Sequence, residues 1–179
     1  MFITRYDLET TLNKDDISKL AELDSEYKTA VEKAISIVKS YLQHRYNPDE
    51  IFIDVLSYNK TVTYAIDDLV FYNNKYYVCT VESLDHLPND TDYFEETDSR
   101  DPSIVDIVCV LTIFILFRKR QPRNIPDWIT EEYDRKIDDL KAYQRGTRTI
   151  ELTVNLDADD EEEGHRVTYG SETQKDWNF

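Results

Sequence analysis

Asp101-Pro102-Ser103-Ile104-Val105-Asp106-Ile107-Val108-Cys109-Val110-Leu111-Thr112-Ile113-Phe114-Ile115-Leu116-Phe117-Arg118-Lys119-Arg120 holds the most apolar run in a chain otherwise rich in charge. Both ends carry helix signals. Asp101 is a capping residue, and Pro102 suits the first helical position, where its missing N–H leaves nothing unpaired. Arg118, Lys119 and Arg120 fall in the last turn, where cations complement the negative end of the helix dipole. Between these ends the run is apolar almost all round, so a helix from about Pro102 to Arg118 is expected to be the central, most buried element. Ile104 to Phe117 holds Asp106 and falls short of the roughly twenty apolar residues a bilayer span needs, which makes it a core helix.

Two further helices flank it. Tyr27, Val31, Ala34, Val38 and Leu42 recur at steps of three and four, with Ala30, Ile37 and Tyr41 widening the stripe. That spacing predicts a helix from about Glu26 to His44, ended by Asn47-Pro48. Ile129, Tyr133, Ile137 and Leu140, joined by Trp128 and Tyr143, predict another from about Asp127 to Gln144, stopped by Gly146. A short helix from Thr4 to about Leu12 opens the chain. Asn13 caps a second turn carrying Ile17 and Leu20.

From Ile51 to about Arg100 helix periodicity disappears and Tyr, Val, Thr and Asn become dense. Thr61–Tyr64, Leu69–Tyr72 and Lys75–Val81 read as strands, and Asn73-Asn74 as the two-residue turn of a hairpin. His86 to Asp98 reads as an acidic loop around Pro88. The expected fold is mainly α: a small helical bundle around a buried central helix (1–53 and 101–146), an inserted small antiparallel β subdomain (54–100), and an extended acidic C-terminal arm (147–179).

With 21 Lys+Arg against 37 Asp+Glu, the net charge is −16. A chain so acidic does not hold nucleic acid by charge attraction, nor does it suit an anionic membrane surface. Three glycines leave no phosphate-cradling loop. Cys79 and Cys109 sit in apolar runs and read as buried free thiols. His44, His86 and His165 are scattered, without ligand spacing. No catalytic residue, metal or cofactor is expected. The N-terminus shows no signal-peptide pattern, so a soluble chain made inside a cell is expected.

The arm alternates at Thr149–Val154 in the manner of a strand. Six acids then fill the seven positions Asp157 to Glu163, before Val167, Tyr169, Trp177 and Phe179. Asp157, Asp159 and Glu161 lack the glycine and terminal glutamate of a calcium loop. Such a tail cannot order itself alone, yet it carries aromatics suited to anchoring on a partner. The cations Arg118, Lys119, Arg120 and Arg123 suit intersubunit acids or DNA phosphates; the helix dipole and solvation also account for them.

The helical frame resembles the small head–tail connector (adaptor) proteins of tailed phages, the Mu-type head-completion family. The residues concerned are Phe2-Ile3-Thr4-Arg5-Tyr6-Asp7-Leu8, then Ser40 to Tyr46, then Asp101-Pro102 with its apolar helix and Arg118-Lys119-Arg120. Tyr133 to Leu140 and Gln144-Arg145-Gly146 complete the set. The resemblance covers about 1–53 and 101–152. It implies a structural virion protein at the portal vertex, assembled in the host cytoplasm. Its copies, commonly twelve, would form a ring docked on the portal protein, extend the DNA channel and hold tail or further ring proteins. Packaged DNA would pass without specific binding, and no membrane is involved. The 54–100 segment departs from that family and faintly resembles small chitin-binding-type modules through Tyr64, Asp67-Asp68, Val70, Tyr72, Tyr76-Tyr77, Pro88 and Tyr93-Phe94. On that resemblance Tyr64, Tyr72, Tyr76 and Tyr93 form the surface of the insert. They would stack on sugar rings or face a neighbouring protein, or else knit a small core. The competing function is therefore a carbohydrate-binding module on a helical scaffold. A third is a regulatory helical protein whose tail binds basic partners.

Overall fold

The structure, a computed structural model, describes residues 1–150. It is mainly helical with a small mixed sheet. Six helices occur among the described residues: α1 (Arg5–Leu8), α2 (Lys14–Leu20), α3 (Asp24–Leu42), α4 (Pro48–Ile51), α5 (Pro102–Arg120) and α6 (Asp127–Arg145). Between α4 and α5 lie six strands: β1 (Val55–Ser57), β2 (Thr63–Tyr64), β3 (Leu69–Tyr72), β4 (Lys75–Cys79), β5 (Ser83–Leu84) and β6 (Phe94–Glu95).

Helix α5 starts where its cap directs. The Asp101 carboxylate accepts from the backbone N–H of Ser103 at 2.8 Å and of Ile104 at 3.0 Å. Every residue from Ile107 to Ile113 is buried, so the helix is enclosed on all sides through its middle. Helices α3 and α6 supply most of that cover, with α1 and α2 against it as well. Helix α3 buries Tyr27, Ala30, Val31, Ala34, Val38 and Leu42, the stripe its spacing predicts. Helix α6 buries Ile129, Leu140 and Tyr143 and ends on Gly146 in the left-handed region (φ 75°), a conformation that costs glycine little.

Several boundaries differ from expectation. Helix α1 stops at Leu8, because the chain turns back through Thr10, whose hydroxyl donates to the Asp7 carbonyl at 2.8 Å. Helix α3 ends at Leu42, and Asn47-Pro48 begins a helix instead of ending one: the Asn47 side chain accepts from the Asp49 N–H at 3.2 Å. The acidic loop from His86 to Asp98 contains strand β6.

The β subdomain is not purely antiparallel. In the sheet order β1-β3-β4-β6, β1 runs parallel to β3, pairing Val55 with Leu69, while β3–β4 and β4–β6 are antiparallel. Asn73 and Asn74 make the hairpin turn at positive φ, as their residue type predicts. Strands β2 and β5 form a separate antiparallel pair. The parallel strand arises because β1 enters directly from the helical part: the Val55 N–H donates to the Met1 carbonyl at 3.0 Å.

Two apolar cores result. The helical one includes Phe2, Ile3, Leu8 and most of α3 and α5, and Ile150 packs into it, beyond the boundary expected at 146. The β core comprises Tyr64, Val70, Tyr77, Cys79 and Phe94. Cys109 belongs to the first and Cys79 to the second, and both are buried free thiols. No described helix is long and apolar enough to cross a membrane.

Candidate functional site

The two cores meet at a buried polar knot centred on Arg100, whose side chain is fully enclosed. Its guanidinium uses all five N–H donors. Nε donates to Asp98 Oδ1 (2.9 Å), and Nη1 to the Phe2 carbonyl (2.7 Å) and Asp7 Oδ2 (3.0 Å). Nη2 donates to Asp7 Oδ1 (3.1 Å) and Asp98 Oδ2 (2.7 Å). The Tyr76 ring stacks 4.2 Å from the guanidinium carbon, and the Tyr76 hydroxyl donates to Asp7 Oδ1 at 2.7 Å. Asp7 also accepts from the Thr4 N–H at 2.7 Å, in the manner of a helix capping box.

The electrostatics follow from burial and partners. Burial works against the Arg100 charge, but its hydrogen bonds to the Asp98 and Asp7 carboxylates outweigh it, so its pKa stands above the ordinary guanidinium value. Burial also pushes the Tyr76 hydroxyl well above the usual tyrosine range; its bond to Thr4 opposes this. The knot is a clamp: every donor of the guanidinium is occupied. Neither Arg100 nor Asp7 stood out in the sequence. The available signal was a lone cation, Arg100, set beside a helix cap in the acidic string Asp98-Ser99-Arg100-Asp101.

Two of the four cations at the basic end of α5 are paired within the chain. Antiparallel packing sets this end beside the acidic first turn of α3. Lys119 Nζ lies 2.9 Å from Glu26 Oε1, and Arg120 Nη2 lies 2.5 Å from Glu26 Oε2 and 3.3 Å from Glu22 Oε2. Hydrogen bonds from Lys119 and then Arg120 hold the Glu26 carboxyl below the usual carboxylate range. Arg118 and Arg123 are exposed and have no acidic partner among the described residues.

The four tyrosines expected on the insert surface do not share one face. Tyr64 is only 1 % exposed, which corrects its assignment to the surface. Its ring packs edge-on against Phe94 and its hydroxyl accepts from the Asn59 N–H at 2.6 Å, so it serves the β core. Tyr76 is committed to the Arg100 knot. Tyr72 is half-buried, edge-on to Tyr58, and Tyr93 is half-buried under His86, their rings 3.7 Å apart. The Val167, Tyr169, Trp177 and Phe179 anchors, the acidic run and all but the start of the Thr149–Val154 strand lie outside the described residues. Among the described residues, no group of three His, Cys, Asp or Glu side chains could hold a metal ion. No protein-family model, curated protein or solved structure matches the chain.

Proposed function

We propose that this chain is a structural subunit of a tailed-phage particle, a head-to-tail connector that docks on the portal as one copy of a ring. In this reading the helices form a bundle around α5, the ring extends the DNA channel, and the aromatic end of the arm, Trp177 and Phe179, reaches out to the portal, with tail components attached beyond. The observation that carries it is the clamped build of the molecule. A helix enclosed through its middle, Ile107 to Ile113, is held between two long helices, and the insert is tied to the N-terminus by a guanidinium with every donor used. A part with a passive mechanical task needs such stiffness. The order of elements agrees with the resemblance: opening turn, long helix, Asp-Pro-capped apolar helix, basic end, and last helix closed by Gly146. An acidic wall suits a DNA path because it repels phosphate and lets the duplex slide.

The test is co-assembly. Particles purified from infected cells are expected to contain the protein at the portal vertex, and electron microscopy of portal mixed with the full chain is expected to show added ring density. Deleting residues 165–179 should abolish attachment. Absence of the protein from purified virions, or normal attachment of the shortened chain, would overturn the reading. Sugar binding has less support, since Tyr64 and Tyr76 are spent inside the molecule.

A further inference from the structure

A groove of about 640 Å³ runs between α3, α5 and α6 near the C-terminal end of α5. Its floor is apolar and half-exposed: Ile37, Phe114, Ile115 and Tyr133, with the Phe114 and Tyr133 rings stacked 4.1 Å apart. Its rim carries Lys33, Arg118 and Lys119 against the single acid Glu26. Glu26 is already engaged by Lys119 and Arg120, while Lys33 and Arg118 have no acidic partner among the described residues. In a chain of net charge −16, an apolar trough with an uncompensated cationic rim fits an acidic segment flanked by apolar residues.

The chain supplies one. Asp157–Glu163 holds six acids, preceded by Ile150, Leu152, Val154 and Leu156 and followed by Val167 and Tyr169. Its starting point is fixed. Thr149 lies beside Asp98–Ser103 at the N-terminal end of α5, and Ile150 packs into the helical core. From Ser103 to Arg118 the helix rises about 22 Å, at roughly 1.5 Å per residue. Seven extended residues, from Ile150 to Asp157, reach about 23 Å at roughly 3.3 Å each. An extended 150–156 laid along the helices therefore delivers the first acid of the run to the cationic rim.

We propose that Asp157–Glu163 seats in this groove of its own chain, its carboxylates on Lys33 and Arg118 and its flanking apolar residues over Phe114 and Tyr133. The seat does not depend on the connector reading. It leaves Trp177 and Phe179, more than a dozen residues further on, free for another contact.

Zero-length carbodiimide cross-linking of the full chain, with the monomer isolated and digested, tests this without any substitution. The neighbouring Lys119–Glu26 pair, 2.9 Å apart, is the internal control for the chemistry. The expected result is a peptide joining Lys33 to the 157–163 run in the monomer, at a yield independent of protein concentration. In parallel, trypsin cleavage after Arg166 is expected to speed up roughly fivefold in K33E/R118E, the scale of exposed charge pairs. Its helical circular dichroism should be unchanged. Control cross-linking without the Lys33 product overturns the seat. So does a product confined to dimers, which would give the groove to a second copy's arm.

Discussion

Replacing Arg100 with methionine removes a guanidinium that joins the N-terminal Phe2 and Asp7 to Tyr76 of the insert and to Asp98 just ahead of α5. Methionine keeps much of the stem's bulk, so the change isolates the guanidinium. The loss leaves Asp7, 7 % exposed, as a buried carboxylate without its cation, and leaves the Phe2 carbonyl without its donor. Breaking a buried pair from one side costs about 3–5 kcal/mol. Asp98 contributes less of this, because its side chain is 36 % exposed and can turn to water. With a urea slope of about 2 kcal/mol per molar, the midpoint should fall by roughly 1.5–2.5 M. The two cores should also part company. Six of the thirteen tyrosines lie in the insert and both tryptophans outside it, so the tyrosine part of the near-UV circular dichroism is expected to lose amplitude before the tryptophan bands and the 222 nm helix signal, where the parent shows coincident transitions. A double-mutant cycle sharpens the test. Asp7→Asn destabilises the parent, but in the Arg100→Met background it removes the stranded charge and should be neutral or stabilising. A midpoint shift under about 0.5 M, or an Asp7→Asn effect equal in both backgrounds, would refute the clamp.

The remaining expectations concern single residues. Thr112 is fully buried in α5 and its hydroxyl has no partner among the described residues, so Thr112→Val should add about 1 kcal/mol and raise Tm by ~2–4 °C in a calorimetric scan; a loss would mean the hydroxyl is bonded. Gly146→Ala places a Cβ 2.1 Å from Arg45 Nη1 at φ +75°. The Arg45 tip can swing away but the backbone cannot, so a cost of about 1–2 kcal/mol is expected in urea titration, with Gly146→Asn costing less. Glu26 has a lowered pKa, so its contribution is present above the ordinary value of 4.5 and is lost as pH falls through the lower folded value. Between pH 5 and pH 3 the parent should therefore lose more stability than Glu26→Gln; parallel pH profiles would contradict the assigned ion pairs.

Much of the helical frame was legible because its signals are local and strong. The α5 cap, the α3 stripe and the Gly146 stop each state their element within a few residues. The β3–β4 hairpin was legible for the same reason, since Asn73-Asn74 suits a positive-φ turn. The unread parts are short or non-local. Val55–Ser57 and Phe94–Glu95 are too brief to show alternation, and β1 becomes a strand only because β3 lies alongside. Tyr64 and Tyr76 look alike in the sequence, yet one fills a core and the other stacks on a cation from a distant segment. The Arg100 knot joins positions 2, 7, 76, 98 and 100, and no periodicity reports a meeting of that kind.

That knot also explains how a small β insert survives in the middle of a helical chain. Its own core has five buried residues, and a few two- to five-residue strands are marginal alone. Both of its ends are pinned to the same N-terminal stretch. On entry, Val55 bonds the Met1 backbone, and the Met1 ammonium lies 2.9 Å from Asp54. On exit, Arg100 grips Phe2 and Asp7. Between them Tyr6 packs on Phe71, and Tyr76 reaches Thr4. Closing the insert's loop at both ends against one rigid segment reduces the conformational freedom its strands must lose to pair. The opening residues 1–7 are thus the seam of the molecule. A truncation that removes them should therefore unfold the insert and, by taking Phe2 and Ile3 out of the helical core, loosen the helices as well, whereas Tyr6→Ala, which removes the ring from Phe71 and leaves that core intact, should weaken the insert first, read by hydrogen exchange of β3 and β4 against α5.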